Sequence, residues 1–216
     1  MRRTLLAATA LCTTIMFLIP GQAAAQSLDW SGPYVGANIG LVHSDSPIDF
    51  DLLAPVPLEA NGGSFGVTAG YNWDLGASVV GVEGDVAIVD AQGQLTEGDD
   101  EYETGLDALL TLRGRLGVKA GNALFYGTAG LAAAQIVFSS ALDGYAPATG
   151  SGMGVGTVIG AGVEYALADN LSIKTEALAF NVSGVEGVGD YGKGTQYEAE
   201  YSPSGVSVRS GLNFHF

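Results

Sequence analysis

The chain has 216 residues, 47% of them hydrophobic and only 14% charged, with 33 glycines and a formal net charge of −15. Such an acidic balance excludes nucleic-acid binding, which needs a basic footprint, and favours a solvated, self-repelling surface. A glycine-rich, weakly charged composition suits many strands and turns better than helices.

The first predicted element is an export signal. Arg2 and Arg3 form a basic start and Leu5 to Ile19 an apolar run. Pro20-Gly21 breaks the run, and Ala23-Ala24-Ala25 offers a cleavage site before Gln26. Residues 1–25 are therefore expected to be a signal peptide and residues 26–216 a single barrel domain. Cys12, the only cysteine, leaves with the signal, so the exported chain is expected to carry no disulfide and no thiolate chemistry. No later segment has the length of an apolar spanning helix.

Eight alternating segments follow. Tyr34–Val42 sets Val35, Ala37, Ile39 and Leu41 on one face, and Ser64–Trp73 sets Phe65, Val67, Ala69, Tyr71 and Trp73 on one face. Ser78–Asp90 presents Val80, Val82, Val86 and Ile88, and Leu106–Lys119 presents Leu110, Leu112, Leu116 and Val118. In Ala123–Phe138 glycine and alanine blur the facing. Val155–Ala166 and Leu171–Val182 alternate again, and the final strand places Val206, Val208, Leu212, Phe214 and Phe216 on one parity. A period of two puts one face of each strand on an apolar medium and the other on a polar one. Each segment is near or above the ~9–11 residues that a tilted transmembrane strand needs.

The connections alternate in length. Asp74–Ala77, Ala120–Asn122 and Leu167–Asn170 are short; His43–Gly63, Ala91–Gly105, Ser139–Gly154 and Ser183–Ser202 are long. Short periplasmic turns opposite long external loops are the asymmetry of outer-membrane barrels. Trp30, Tyr34, Tyr71, Trp73, Phe125, Tyr126, Tyr165, Phe214 and Phe216 are expected in a periplasmic aromatic girdle, with Phe65, Phe138, Phe180 and Tyr201 in an external one. The predicted fold is an all-β, eight-stranded antiparallel up-and-down transmembrane β-barrel.

The strand charges share the polar parity. Glu83 and Asp85 lie on the third strand and Arg113 and Arg115 on the fourth, with Glu83 expected level with Arg115 and Asp85 with Arg113. Glu164 should lie near Lys174, and Glu176 should meet Arg209. A barrel of eight strands is just wide enough for side chains to fill it, and a buried charge must be paired, so these four acids and four bases are expected to form a lumen charge network. The surplus acids then belong to the loops: Asp45, Asp49, Asp51 and Glu59; Glu97, Asp99, Asp100, Glu101 and Glu103; Glu186, Asp190, Glu198 and Glu200. Glu97-Gly98-Asp99-Asp100-Glu101 does not match an EF-hand loop, and no metal or cofactor is expected. The two histidines, His43 and His215, fall at opposite ends of the predicted barrel and cannot share a site, so no enzyme activity is expected.

Several short motifs are similar to those of the small outer-membrane β-barrel proteins of alphaproteobacteria, the porin-family or surface-antigen barrels. They are Asp29-Trp30-Ser31-Gly32-Pro33-Tyr34-Val35-Gly36, Gly70-Tyr71-Asn72-Trp73, Gly81-Val82-Glu83-Gly84-Asp85, Arg113-Gly114-Arg115-Leu116-Gly117, Gly160-Ala161-Gly162-Val163-Glu164-Tyr165 and the terminal Phe. The resemblance implies an eight-stranded barrel at the cell outer membrane, surface exposure, a part in envelope maintenance and sometimes host contact. It also implies that Val208, Leu212, Phe214 and Phe216 act as the signal for the barrel-assembly machinery. Outer-membrane lipid and lipopolysaccharide are the other expected partners of what should be a monomer. The expected function is a non-enzymatic surface barrel that contributes to envelope integrity. A narrow pore for small solutes, or an adhesin or ligand receptor carried by the loops, are the alternatives.

Overall fold

A computed structural model describes residues 29–50, 53–97, 100–141, 148–183, 185–190, 196–201 and 203–216. The expected signal peptide, residues 1–25, lies outside the described residues. Ten strands form in chain order: β1 (Gly32–Phe50), β2 (Leu53–Asp74), β3 (Ser78–Glu97), β4 (Asp100–Ala120), β5 (Ala123–Ala141), β6 (Ala148–Ala168), β7 (Leu171–Val182), β8 (Val185–Asp190), β9 (Gln196–Tyr201) and β10 (Ser204–His215). Consecutive strands pair antiparallel from β1 to β7, β7 pairs with β10, and β10 returns to β1 from Tyr34↔His215 to Asp45↔Ser204. These eight strands close a barrel, which leaves no open edge in the apolar zone. β8 and β9 form a hairpin that joins the wall where β10 leaves it, with β9 pairing Ile48↔Tyr201 and Asp49↔Glu200 on β1.

The alternation of the sequence becomes the two sides of the wall. Ile39, Leu41, Phe65, Val82, Ile88, Leu112, Leu116, Ile159, Val208 and Leu212 all point outward and are exposed, as are the neighbours that share their parity. On β2 this outward apolar run extends from Trp73 to Phe65, a rise of roughly 20 Å for a tilted strand, close to the ~25 Å apolar band of such barrels. Nothing inside the protein covers these side chains, so the apolar face needs a lipid phase.

Three turns close one end: residues 75–77, 121–122 and 169–170. Gly76 and Gly121 carry φ of 92° and 62° there, a left-handed backbone that the tight turns require and that a side chain resists. Asp74 ties this end together. Its carboxylate accepts from Lys119 Nζ at 2.7 and 2.8 Å, from the Gly76 N–H at 2.8 Å and from the Trp30 N–H at 3.3 Å.

At the opposite end the strands run further than their alternation suggests. Asp45, Asp49, Glu59, Glu103, Glu186 and Glu200, read from sequence as loop acids, lie on paired strands; Asp51 and Asp99 fall outside the described residues. Once the wall leaves the apolar zone both of its faces can be polar, so pairing continues with no period-two hydrophobic signal to mark it. The 22 residues of β2 correspond to a wall roughly 55 Å tall at the usual rise and tilt. More than half of that height stands clear of the apolar band.

Four aromatics expected on the outer girdles are inside. Trp30, Tyr34 and Tyr126 are buried near the short-turn end, and Phe180 is buried in the other half. Tyr71, Trp73, Phe125, Phe214 and Phe216 do point outward at the short-turn end, with Tyr71 tilted against Trp73 at 4.8 Å and Phe214 edge-on to Phe216 at 5.2 Å. Phe65 points outward towards the far end; the side chains of Phe138 and Tyr201 are outside the described set.

Candidate functional site: the layered barrel interior

The interior is filled in three layers. Nearest the short turns Trp30, Val79, Leu124, Tyr126 and Ala166 pack together. In the other half Val42, Val89, Leu106, Leu109, Ile136, Leu178, Phe180 and Val182, with smaller alanines between them, form an apolar plug. One β-bulge shapes that plug. The register of β4 against β5 slips between Leu106 and Ala108, which turns Asp107 outward and lets Leu106 and Leu109 both point in.

Between the apolar layers sit Glu83, Asp85, Arg113, Arg115, Glu164, Lys174, Glu176 and Arg209, all buried. β3 opposes β4 with Glu83↔Arg113, Asp85↔Thr111 and Gly81↔Arg115. This is two residues away from the register expected from sequence. Neighbouring strands of a barrel are staggered, and the hairpin that joins β3 to β4 is at the far end, beyond a bulge in each strand. Glu164↔Lys174 and Glu176↔Arg209 are directly opposed.

Four of the ion pairs among these eight residues nevertheless cross the lumen between strands that are not neighbours, and the others stay within one strand or on the ladder. Arg113 donates to Glu83, to Asp85 at 2.8 Å and to Glu176 on β7 at 3.0 Å. Arg115 donates to Glu164 on β6 at 2.8 Å, and Lys174 to Glu83 on β3 at 2.9 Å. Arg209 grips Asp85 with two nitrogens at 2.8 and 2.9 Å and donates Nε–H to Glu176 at 2.8 Å. Glu164, though level with Lys174, takes Arg115 instead. It also accepts from Ser172 at 2.6 Å and Asn213 at 2.7 Å, with His215 Nε2 at 3.3 Å.

Uncharged groups complete the layer, and the sequence reading did not assign them to it. Tyr34 donates its hydroxyl to Glu83 at 2.8 Å and accepts from Arg115 at 3.2 Å; Tyr126 donates to Glu176 at 3.2 Å. The Arg115 guanidinium lies 4.0 Å from the centre of the Tyr126 ring, a cation–π contact in a dry setting. Thr111 donates to Asp85. Parity was the available signal: Thr111, Ser172 and Asn213 each stand two or four residues from a charged member of the network on the same strand face. Glycines on the inner face make the room. A Cβ at Gly70 would collide with the Tyr34 ring, and one at Gly162 with the Tyr126 hydroxyl.

The comparisons with known proteins follow the same outline. Residues 8–214 match the family model described as the outer membrane protein beta-barrel domain. The chain belongs to that family. The 31 kDa outer-membrane immunogenic protein of Brucella melitensis is 33% identical over 220 residues, 91% of this chain and 88% of the relative. The 25 kDa outer-membrane immunogenic protein of Brucella canis is 30% identical over 152 residues, 70% of this chain and 65% of that protein. Among solved structures, the outer membrane protein OprG from Pseudomonas aeruginosa superposes with a TM-score of 0.57 at 12% identity, over 86% of this chain and 98% of that one, a likeness of fold alone. This member of the outer membrane protein beta-barrel family is thus a closed eight-stranded barrel of the cell outer membrane, and the lipid phase its outer face requires is that membrane.

The four site residues on the last strand face lipid. Val208, Leu212 and Phe214 are exposed on the outer side of β10, and Phe216, just past its end, is exposed as well. The strand's inner face, carrying Arg209, Asn213 and His215, is committed to the charged layer.

Proposed function

We propose that this barrel is a non-enzymatic, closed surface protein that contributes to the integrity of the outer membrane and does not conduct solutes. One observation carries the reading: the charged layer is sealed between two apolar layers, with four carboxylates tied to four cations inside it. A water-filled pore needs a continuous polar lining, and an apolar plug of buried side chains interrupts it. The same ion pairs leave no lumen carboxylate free to act as a general base, which supports the non-enzymatic reading. The short turns and both chain termini face the periplasm, and the tall strand extensions face outward. The Brucella relatives are described as immunogenic, which supports a surface-antigen role for those extensions. Lipopolysaccharide and outer-leaflet lipid are the proposed partners of the wall, and the assembly machinery is the proposed partner of β10, by strand addition.

Planar-bilayer recording of the purified, folded protein tests the closed lumen. The expected trace is flat under applied voltage. Steady, size-selective steps would replace this reading with a narrow pore. In the source bacterium, a deletion strain is expected to become more permeable to large hydrophobic dyes; an unchanged envelope would remove the integrity role.

A further inference from the structure

Just beyond the apolar belt, the outer wall is not smooth. A groove of about 530 Å³ opens across β3, β4, β5 and β6. Its lower row runs Gln92, Gly105, Val137, Ser151, each directly paired with the next. Gln94, Glu103 and Ser139 form the row above, and Asp107 stands at the bulge of β4. Gly105 is the floor. A Cβ there would meet only Val137 and Asp107 side-chain atoms at 3.7 and 3.8 Å and a backbone oxygen at 3.9 Å, so the depression is real space that the sequence leaves open. Bulges in β3 and β4 flank it and bend the wall.

The groove's height and chemistry together indicate its occupant. It is continuous with the lipid-facing surface: Val137 lines it, and Met153, two residues below Ser151 on β6, is exposed among the outward apolar side chains. It therefore lies above the acyl chains, at the height of the saccharides that extend from the outer leaflet. Its outward-facing lining offers two amides, two carboxylates and two serine hydroxyls. No Lys or Arg occurs anywhere in residues 4–112 or 120–173, so a phosphate would meet only like charge there. Among the described residues, no three acidic, histidine or cysteine side chains converge to hold a metal ion that could bridge to phosphate. Sugar hydroxyls are both donors and acceptors, and they suit this set directly: carboxylates and amide oxygens accept from them, and Gln amides donate to them.

We infer that this groove binds the neutral sugars of a glycolipid in the outer leaflet, the core saccharide of lipopolysaccharide, by direct hydrogen bonds and not through its phosphates. The inference rests on the outer-leaflet placement and refines the lipopolysaccharide partnership proposed above; the closed-lumen reading is independent of it.

The test uses the purified, folded full-length protein in detergent. It compares binding of core-bearing lipopolysaccharide, lipid A lacking core sugars, and phosphatidylglycerol, by thermal shift and co-purification. Wild type should prefer the core-bearing form over lipid A by about tenfold, the worth of one or two hydrogen bonds. Gly105→Leu fills the floor and Ser151→Trp blocks the side; each should abolish the preference while heat-modifiable migration shows the barrel still folded. Gln92→Ala should weaken it part-way. Equal binding of wild type and both filled variants would overturn the site. A wild-type preference for lipid A over core-bearing lipopolysaccharide would overturn the choice of sugar over phosphate. Flat conductance traces would persist in either case, so failure here is distinct from failure of the closed-lumen reading.

Discussion

At the scale of residues, Arg209 holds the most demanding position. It neutralises Asp85 and Glu176 at once, and all three are buried. Removing one partner of a buried pair leaves an uncompensated charge, which costs about 3–5 kcal/mol. Arg209→Met is therefore expected to lower the unfolding free energy of the barrel, read by urea titration in lipid vesicles, by that order, and adding Asp85→Asn should recover part of the loss. A single variant as stable as wild type would mean that the network contributes nothing. The members of this network could be named from sequence because charges on a strand are conspicuous and share a parity. The Glu176–Arg209 pair could be named too, because it follows the ladder, but the partners across the lumen could not. Arg209 meets Asp85 and Lys174 meets Glu83 across the lumen, on strands that are not neighbours, and neither parity nor register carries that information. The inward aromatics were hidden for a different reason. Tyr34 and Tyr126 have an apolar ring and a polar tip, so they suit a membrane interface and a charged interior equally well.

At the scale of elements, alternation made the strands legible in the apolar zone and illegible beyond it. Val80, Val82, Val86 and Ile88 mark β3 plainly, but Asp90, Gln92 and Gln94 continue the same outward row with nothing apolar to reveal it. The groove was invisible for that reason: apart from Asp107 and Val137, it is built from strand extensions that read as loop. At the other end, Asp74 fixes β2, the turn after it, the segment entering β1 and the end of β4. Partial burial acts to raise its carboxyl pKa, but the Lys119 ammonium and the Gly76 and Trp30 N–H groups outweigh that and hold it below its ordinary 3.8. A depressed carboxyl stabilises the fold above its unfolded pKa and loses that contribution as pH falls through the folded value. The stability advantage of wild type over Asp74→Asn should thus be full at neutral pH and shrink as pH drops below about 4. An advantage that stayed constant to pH 2 would show that ionisation of Asp74 is not its source.

For the whole molecule, closure is the governing fact. The wall has no free edge in the membrane because β10 lies between β7 and β1. The fold was legible at this scale because eight alternating segments with short and long connections admit few other solutions in an exported chain. The outward Phe216, 73% exposed, adds nothing to the interior. Its proposed value is in recognition by the assembly machinery, so deleting it should lower the surface level of the protein while leaving in vitro refolding into vesicles intact. Unchanged surface levels would remove that role. The cross-lumen pairing has a kinetic consequence as well. Asp85 waits for Arg209, 124 residues later, and Glu83 for Lys174, 91 residues later. Contacts so distant along the chain make folding slow, and a chain cut short before residue 209 leaves Asp85 without the guanidinium that grips it. The ionic layer therefore reads the length of its own polypeptide: only a chain that extends through the last strand can satisfy it.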